Sequence, residues 1–136
     1  MIFLDANVVI DLLNARRPKV REHYDEARGL SVRLKLLTIA LFELRYGAAN
    51  SDRVERNLRA LDVLIEEGFD VIPFDAADAA EAGVIRAHLR RAGRLIGPYD
   101  ILIAAQARRR GALLVTSNGR EFERMPGLIV TDWAAG

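Results

Sequence analysis

Short hydrophobic runs alternate along the chain with longer segments in which hydrophobic residues recur every three or four positions. The short runs are typical of buried strands, and the longer segments are typical of amphipathic helices. Strands are predicted at residues 1–4, 34–38, 71–74, 113–116 and 128–131. Because helical segments rather than tight turns separate these runs, the pattern predicts an α/β protein with a parallel sheet buried on both faces.

Helices are predicted in the intervals between the strands, and an acid or a proline marks several of their starts. The predicted helical segments are 8–14, 18–28, 39–49, 52–68, 75–92 and 101–110. In the fifth segment, three- and four-residue spacing predicts one buried face formed by Ala79, Ala82, Ile85 and Leu89. No repeat or Gly/Pro/Ser-rich linker interrupts this order, so residues 1–136 are expected to form one domain.

Polar residues follow the first and fourth predicted strands. Asp5 comes directly after the first, and Ser117 and Asn118 come directly after the fourth. In open parallel sheets, ligands bind beyond the carboxyl ends of the strands. We therefore expect both places to lie on the same rim of the sheet, where a functional site is predicted.

Composition narrows the class of protein. Of the 136 residues, 51% are hydrophobic and 29% are charged, none is cysteine, and the formal net charge is +1. These values exclude a disordered chain, a disulfide framework and a cysteine-ligated zinc site. The longest uncharged stretch, residues 111–119, is far shorter than the roughly 20 residues of a membrane helix. No secretory signal pattern is present either, so a cytoplasmic protein is expected.

The basic residues are unevenly placed and are almost all arginine, 18 of 20. This bias suits a partner that carries phosphates or carboxylates, although a GC-rich genome would produce it as well. Residues 82–120 contain eight arginines and a single acid, Asp100. Arg86, Arg90 and Arg94 recur every four residues, which predicts one nucleic-acid-binding stripe on a helix. The consecutive residues 108–110 point in different directions and are expected to form a solvated helix face.

Carboxylates are the remaining candidates for chemistry. The chain has no glycine-rich phosphate loop and no Gly-x-Ser-x-Gly elbow, and His23 and His88 lack ligand-like spacing. Acids in apolar surroundings are Asp5, Glu43 and Asp100, with Glu121 after the fourth strand. Taken singly, each acid could be a helix cap, a first-turn acid or an exposed helix residue. Taken together, they fit Mg²⁺, which needs only two or three converging protein oxygens and keeps several waters.

The ordered set of motifs resembles the PIN-domain ribonucleases of the VapC toxin family. The motifs are Ile-Phe-Leu-Asp-Ala-Asn at 2–7, Phe-Glu-Leu-Arg-Tyr-Gly at 42–47, Ile-Gly-Pro-Tyr-Asp-Ile-Leu-Ile-Ala-Ala at 96–105 and Leu-Val-Thr-Ser-Asn-Gly-Arg-Glu-Phe at 114–122. The ending, from Pro126 to Trp133, fits as well, so the resemblance covers essentially the whole chain. It implies a PIN-like three-layer α/β/α fold around a central, mostly parallel five-stranded sheet.

The resemblance also implies a function and a role for each acid. The chain would be an endoribonuclease toxin that uses Mg²⁺ or Mn²⁺, forms a homodimer and is neutralised by a VapB-type antitoxin. Asp5 and Asp100 would bind the metal, and Glu43 would bind it directly or through water. A metal-activated water would attack an RNA phosphodiester and leave a 3′-hydroxyl and a 5′-phosphate. Many family members carry a fourth aspartate where this chain has Asn118, so either Asn118 orders a water or Glu121 replaces the charge.

Other functions agree less well with these residues or stay open beside this one. An aspartyl phosphatase or phosphoacceptor domain would need a second carboxylate beside Asp5 and a lysine on the rim, but position 7 is Asn and both lysines come early in the chain. A non-catalytic nucleic-acid-binding scaffold disagrees with the presence of all three core acids. A PIN nuclease without an antitoxin and a DNA-directed nuclease stay open, because a metal site does not itself read the RNA 2′-hydroxyl.

Overall fold

A computed structural model describes residues 1–135 of the chain. Five strands and seven helices alternate largely as the hydrophobic pattern predicts. In chain order the elements are β1 (Ile2–Leu4), α1 (Ala6–Leu13), α2 (Pro18–Gly29), β2 (Leu34–Leu37), α3 (Thr38–Ala49), α4 (Val54–Gly68), β3 (Phe69–Ile72), α5 (Ala76–Arg91), α6 (Pro98–Arg109), β4 (Leu113–Val115), α7 (Gly119–Phe122) and β5 (Ile129–Thr131).

The strands form one sheet in the order β3-β2-β1-β4-β5, and every neighbouring pair is parallel. The expected α/β class with a five-stranded sheet is therefore confirmed, and the sheet is entirely rather than mostly parallel. Right-handed crossovers place α1–α4 on one face of such a sheet and α5–α7 on the other, which gives three layers. The strand order reverses between β1 and β4, and ligands bind at such a switch point in open α/β sheets.

The hydrophobic core fills the space between the sheet and both helical layers. Strand residues such as Phe3, Leu36 and Leu114 are completely buried, and so are Ile103 and Ala104 of α6. These strands are hydrophobic at consecutive positions because side chains on both faces of the sheet meet a helical layer. Among residues 1–135, no helix is both long enough and apolar enough to span a membrane.

The local predictions for the third strand and for the buried face of the fifth helical segment were wrong. The third strand lies at Phe69–Ile72 rather than at 71–74, because α4 ends at Gly68 and Phe69 pairs at once with Leu34 of β2. On α5, Ala79 is exposed, and the acid Asp78 is the completely buried residue beside Ala82, Ile85 and Leu89. Several charge-assisted hydrogen bonds to Asp78 compensate the cost of burying its charge, and a hydrophobic pattern does not reveal such bonds.

Arginines of α6 provide those hydrogen bonds. Arg109 and Arg110 donate to Asp78 at 2.7 and 2.8 Å, and Arg108 pairs with Glu81 at 3.2 Å. Residues 108–110 are therefore ion-paired to α5 and do not form the solvated helix face that was expected. Burial alone would raise the pKa of Asp78, but the hydrogen bonds from Arg110 and Arg109 outweigh it and hold this pKa well below its usual range.

Candidate active site

Asp5 lies at the end of β1, where it also caps α1. Its Oδ1 accepts a hydrogen bond from the backbone N–H of Ala6 at 2.8 Å, and its side chain is almost fully buried. The other oxygen, Oδ2, accepts the hydroxyl proton of Thr116 at 2.8 Å. Helix capping and a place at the sheet rim are thus combined in one residue. Burial raises the pKa of Asp5, the bonds from Thr116 and Ala6 oppose that rise, and the charge of Glu121 adds to it.

Thr116 connects the two strands at the switch point, and the sequence analysis assigned it no role. Its hydroxyl donates to Asp5 and accepts the backbone N–H of Asn118 at 3.0 Å. Beside it, the backbone N–H of Ser117 donates to Oδ1 of Asn7 at 3.4 Å. These bonds confirm that the ends of β1 and β4 share one rim. A hydroxyl residue directly after a buried strand was the available signal for Thr116.

Glu43 reaches the same rim from α3, on the side of β1 that faces the first helical layer. Among the described residues, its Oε1 is shielded from solvent and has no hydrogen-bond partner. Burial raises the pKa of Glu43, and the nearby charge of Asp5 raises it further. An unpartnered buried carboxylate oxygen is costly for the folded protein, so it indicates a group that binds something besides the protein itself.

Asp100 enters from the first turn of α6, which begins at Pro98 after the break at Gly97. The pKa of Asp100 is raised to about 7 by burial, by a hydrogen bond with Glu121, and by the charges of Asp5, Glu121 and Glu43. Four carboxyl groups from separate parts of the sequence therefore act on one another. Such mutual repulsion between acids at a cleft is typical of a functional site.

The four acids provide only oxygen donors, which suits a hard divalent cation such as Mg²⁺ or Mn²⁺. Within residues 1–135, no three acidic or histidine side chains already enclose a point where an ion could sit. An ion that keeps several of its waters does not require such an enclosure. A bound cation would relieve the repulsion that raises the pKa of Asp100 and would give Oε1 of Glu43 a partner, so the residues present fit a divalent metal.

An open cleft of about 580 Å³ lies over these acids. Asp5, Glu43, Asp100 and Asn118 line it, so the structure brings these four predicted site residues together. Aromatic and small residues complete the wall: Ala6, Asn7, Ile10, Phe42, Tyr46 and Tyr99. Glu121 is not among the residues that line the cleft, but its charge contributes to the raised pKa values of Asp5 and Asp100.

The predicted arginine stripe is divided by the structure. Arg86 and Arg90 are exposed on α5, but that helix ends at Arg91, and Gly93 reverses the chain with a φ of +67°. Arg94 therefore leaves the stripe, which corrects the helical prediction for this residue. It lines a separate depression together with Arg120 and Arg124, which we call the arginine cleft. Arg124 also donates to the carbonyl of Leu95 at 3.4 Å, in the loop that leads to Asp100.

Comparison with known proteins agrees with this geometry. The sequence profile of the PIN domain matches residues 2–128. A relative from Shigella flexneri, the tRNA(fMet)-specific endonuclease VapC, is 41% identical over 96% of this chain and 96% of its own length. The chain belongs to the VapC family of PIN-domain proteins. The family resemblance drawn from the motifs is thus confirmed over nearly the whole sequence.

Solved structures of the VapC family share the fold. The DNA-bound VapBC complex from Salmonella typhimurium contains a chain that is 39% identical, with a TM-score of 0.88 over 97% of both chains. VapBC2 from Rickettsia felis, bound to a DNA fragment from its promoter, contains a chain that is 31% identical, with a TM-score of 0.89 over 98% of this chain and 99% of that one. Both structures are complexes of a VapC chain with VapB.

Proposed function

We propose that this VapC-family chain is a metal-dependent endoribonuclease toxin that hydrolyses RNA phosphodiester bonds and is neutralised by a VapB-type antitoxin. The observation that carries the proposal is that Asp5, Glu43 and Asp100 line one cleft, where burial and the charges of the neighbouring acids raise the pKa of Asp100 to about 7. A protein tolerates such repulsion where a cation relieves it. Mg²⁺ is the cation that we propose, and Mn²⁺ is expected to substitute for it because both prefer oxygen donors.

Asp5 and Asp100 would hold the metal, and Glu43 would complete its surroundings directly or through water. When bound, a divalent ion activates water and neutralises charge that develops on a phosphoryl oxygen. Thr116 fixes the carboxylate of Asp5 by its hydrogen bond, so that one oxygen keeps a constant orientation. Glu121 contributes to the raised pKa of Asp100 and is proposed to supply the fourth acid in place of the aspartate found in many relatives.

Arg86, Arg90 and Arg94 are proposed to contact the RNA backbone, because they are exposed and phosphate contacts dominate affinity for nucleic acids. Since Arg94 lies in the arginine cleft, its proposed phosphate contact is shared with Arg120 and Arg124 rather than with α5. Related VapC chains have been solved in complex with VapB and DNA, which supports a VapB-type partner here. We also propose that the chain forms a homodimer, as the family resemblance implies.

The proposal is tested by RNA cleavage and metal binding measured together. The relative from Shigella flexneri is named a tRNA(fMet)-specific endonuclease, so initiator tRNA is the first substrate to try and an elongator tRNA is its comparison. Asp5→Asn should abolish cleavage and weaken Mg²⁺ binding measured by calorimetry, and EDTA should stop the wild-type protein. Asp52→Asn, which changes an exposed acid before α4, is the matched control and should leave both unchanged. Cleavage by correctly folded Asp5→Asn protein at the wild-type rate would refute the assignment.

A further inference from the structure

The exposed aromatic residues of the chain are all in one place. The sequence contains nine aromatic residues, and most of them are buried or half-buried in the core. In the described part of the chain, the exposed ones are Phe42, Tyr46 and Tyr99, with 52%, 62% and 47% of their surface accessible. All three line the cleft that contains Asp5, Glu43 and Asp100. Exposed apolar rings grouped at a cleft are typical of a surface that contacts a ligand.

The rings are arranged as a wall with usable faces. Phe42 and Tyr99 come from different helices and meet edge to face, with ring centroids 5.5 Å apart and planes inclined by 68°. In this arrangement the edge of one ring meets the face of the other, so at least one face stays free for a planar ligand. Tyr46 lies one helical turn after Phe42 and continues the same side of α3.

Two of the three rings are also adjacent in sequence to a candidate metal-binding acid. Phe42 precedes Glu43, and Tyr99 precedes Asp100. Because the rings and the acids line the same cleft, a ligand that places a phosphodiester at the acids would place its neighbouring groups against the rings. In single-stranded RNA the planar groups next to each phosphate are nucleobases, and proteins commonly hold them by stacking on Phe and Tyr.

We propose that Phe42 and Tyr99, extended by Tyr46, form a stacking platform for an unpaired nucleobase beside the scissile phosphate. The platform rests on the proposed ribonuclease function and adds to it a contact for the base next to the cleaved bond. Because every base has a π face, the platform selects unpaired bases without selecting one base identity. Duplex RNA, whose bases stack on one another, cannot use it.

The test measures stacking directly. A short single-stranded RNA carries one 2-aminopurine, whose fluorescence is quenched when the base stacks on an aromatic ring. The Asp100→Asn protein binds this RNA without cutting it, and ring variants are made on that background. Phe42→Leu and Tyr99→Leu should each weaken RNA binding by at least about fivefold, at the lower end of the stacking contribution measured for single bases, and should remove the quenching.

Conservative variants separate stacking from hydrophobic contact. Phe42→Tyr and Tyr99→Phe keep the ring and should retain both binding and quenching, whereas leucine keeps apolar area without a π face. Val84→Ala, at a valine 62% exposed on α5 and outside the cleft, is the matched control and should change neither. Leucine variants that bind and quench like their parent would overturn the proposal. It would also be overturned if they impaired only neutralisation by a purified VapB-type antitoxin, since the rings would then be a protein-docking surface.

Failure of the platform can be distinguished from failure of the ribonuclease assignment. Wild-type protein with Mg²⁺ is incubated with the same RNA, and its cleavage tests the proposed function alone. If the RNA is cut but quenching survives the leucine substitutions, the platform is wrong and the nuclease stands. If neither this RNA nor initiator tRNA is cut but quenching depends on the rings, the nuclease assignment is wrong and the rings stack bases without lying beside a scissile phosphate.

Discussion

Replacing Asp100 with asparagine is expected to abolish RNA cleavage and, at the same time, to stabilise the metal-free protein. Asp100 is ionised at pH 8, but in the folded state its charge lies against those of Asp5, Glu43 and Glu121. Asparagine keeps the size of the side chain and removes the charge. Function and stability should therefore change in opposite directions, which is expected where a site stores repulsion for a cation.

The size of the effect follows from the pKa of Asp100, which is raised from its usual 3.8 to about 7. One pKa unit corresponds to about 1.4 kcal/mol, which sets an upper limit of about 4 kcal/mol at pH 8. Because the side chain is partly exposed to water, solvent screening reduces the expected gain to about 1–3 kcal/mol. Between about pH 7 and pH 4, Asp100 is protonated in the folded protein but ionised in the unfolded chain, so the destabilisation caused by its charge decreases as the pH falls. The gain should therefore be complete above pH 7 and should disappear as the pH falls towards 4.

Urea unfolding in EDTA at pH 8 and pH 4.5, followed by circular dichroism, measures this difference. Adding saturating Mg²⁺ at pH 8 should stabilise the wild-type protein more than Asp100→Asn, because binding to the folded state adds RT ln(1 + [Mg²⁺]/Kd) and the variant binds weakly. Asp52→Asn, at an exposed acid that does not line the cleft, should show neither effect. The reasoning is refuted if Asp100→Asn is no more stable than wild type at pH 8 in EDTA, or if its gain is the same at both pH values.

Three further predictions follow from contacts in and around the site. Glu121→Gln should reduce RNA cleavage about 10- to 100-fold, as loss of an outer partner of a metal ligand commonly does. It should also move the acid limb of the pH–rate profile to lower pH, because the pKa of Asp100 falls. If Glu121→Gln is silent and Asn118→Ala is severely impaired, the fourth position belongs to Asn118. Asp78→Asn should destabilise the protein by about 3 kcal/mol in urea unfolding at pH 7, because the substitution leaves two arginines without their buried partner. Since the pKa of Asp78 is lowered, the stability that Asp78 provides in the wild type should be lost only in strong acid. A loss below about 0.5 kcal/mol in the variant would contradict this. Replacing the three residues of the arginine cleft, Arg94, Arg120 and Arg124, with Gln should make RNA binding less dependent on salt. The slope of the logarithm of the RNA-binding constant against the logarithm of salt concentration should fall by up to about 0.7 per lost phosphate contact. A variant with Arg86 and Arg90 replaced serves as the comparison, and an unchanged slope in the triple variant would place the RNA elsewhere.

The sequence by itself determined the fold class and the principal acids. Short continuous hydrophobic runs such as Ile2–Leu4 are typical of strands buried on both faces of a sheet. Segments of helical periodicity separate them, and this alternation favours a parallel α/β arrangement. Asp5 and Asn118 were expected on one rim because parallel strands present their carboxyl ends together. Their neighbouring positions are confirmed by Thr116, which hydrogen-bonds to the side chain of one and the backbone of the other. These features depend on order along the chain, which a sequence contains.

Only the tertiary structure decided which side chains of different helices meet. The burial of Asp78 against Arg109, the separation of Arg94 from Arg86, and the grouping of the exposed aromatic rings at the cleft each depend on how α3, α5 and α6 pack. Periodicity places a residue on a face of its own helix but carries no information about the neighbour that faces it. The raised pKa of Asp100 has the same origin, because burial and charges from distant parts of the chain produce it. The side-chain contacts and the pKa of Asp100 depend on distances between residues far apart in the sequence, and these distances are set when the helical layers pack around the sheet.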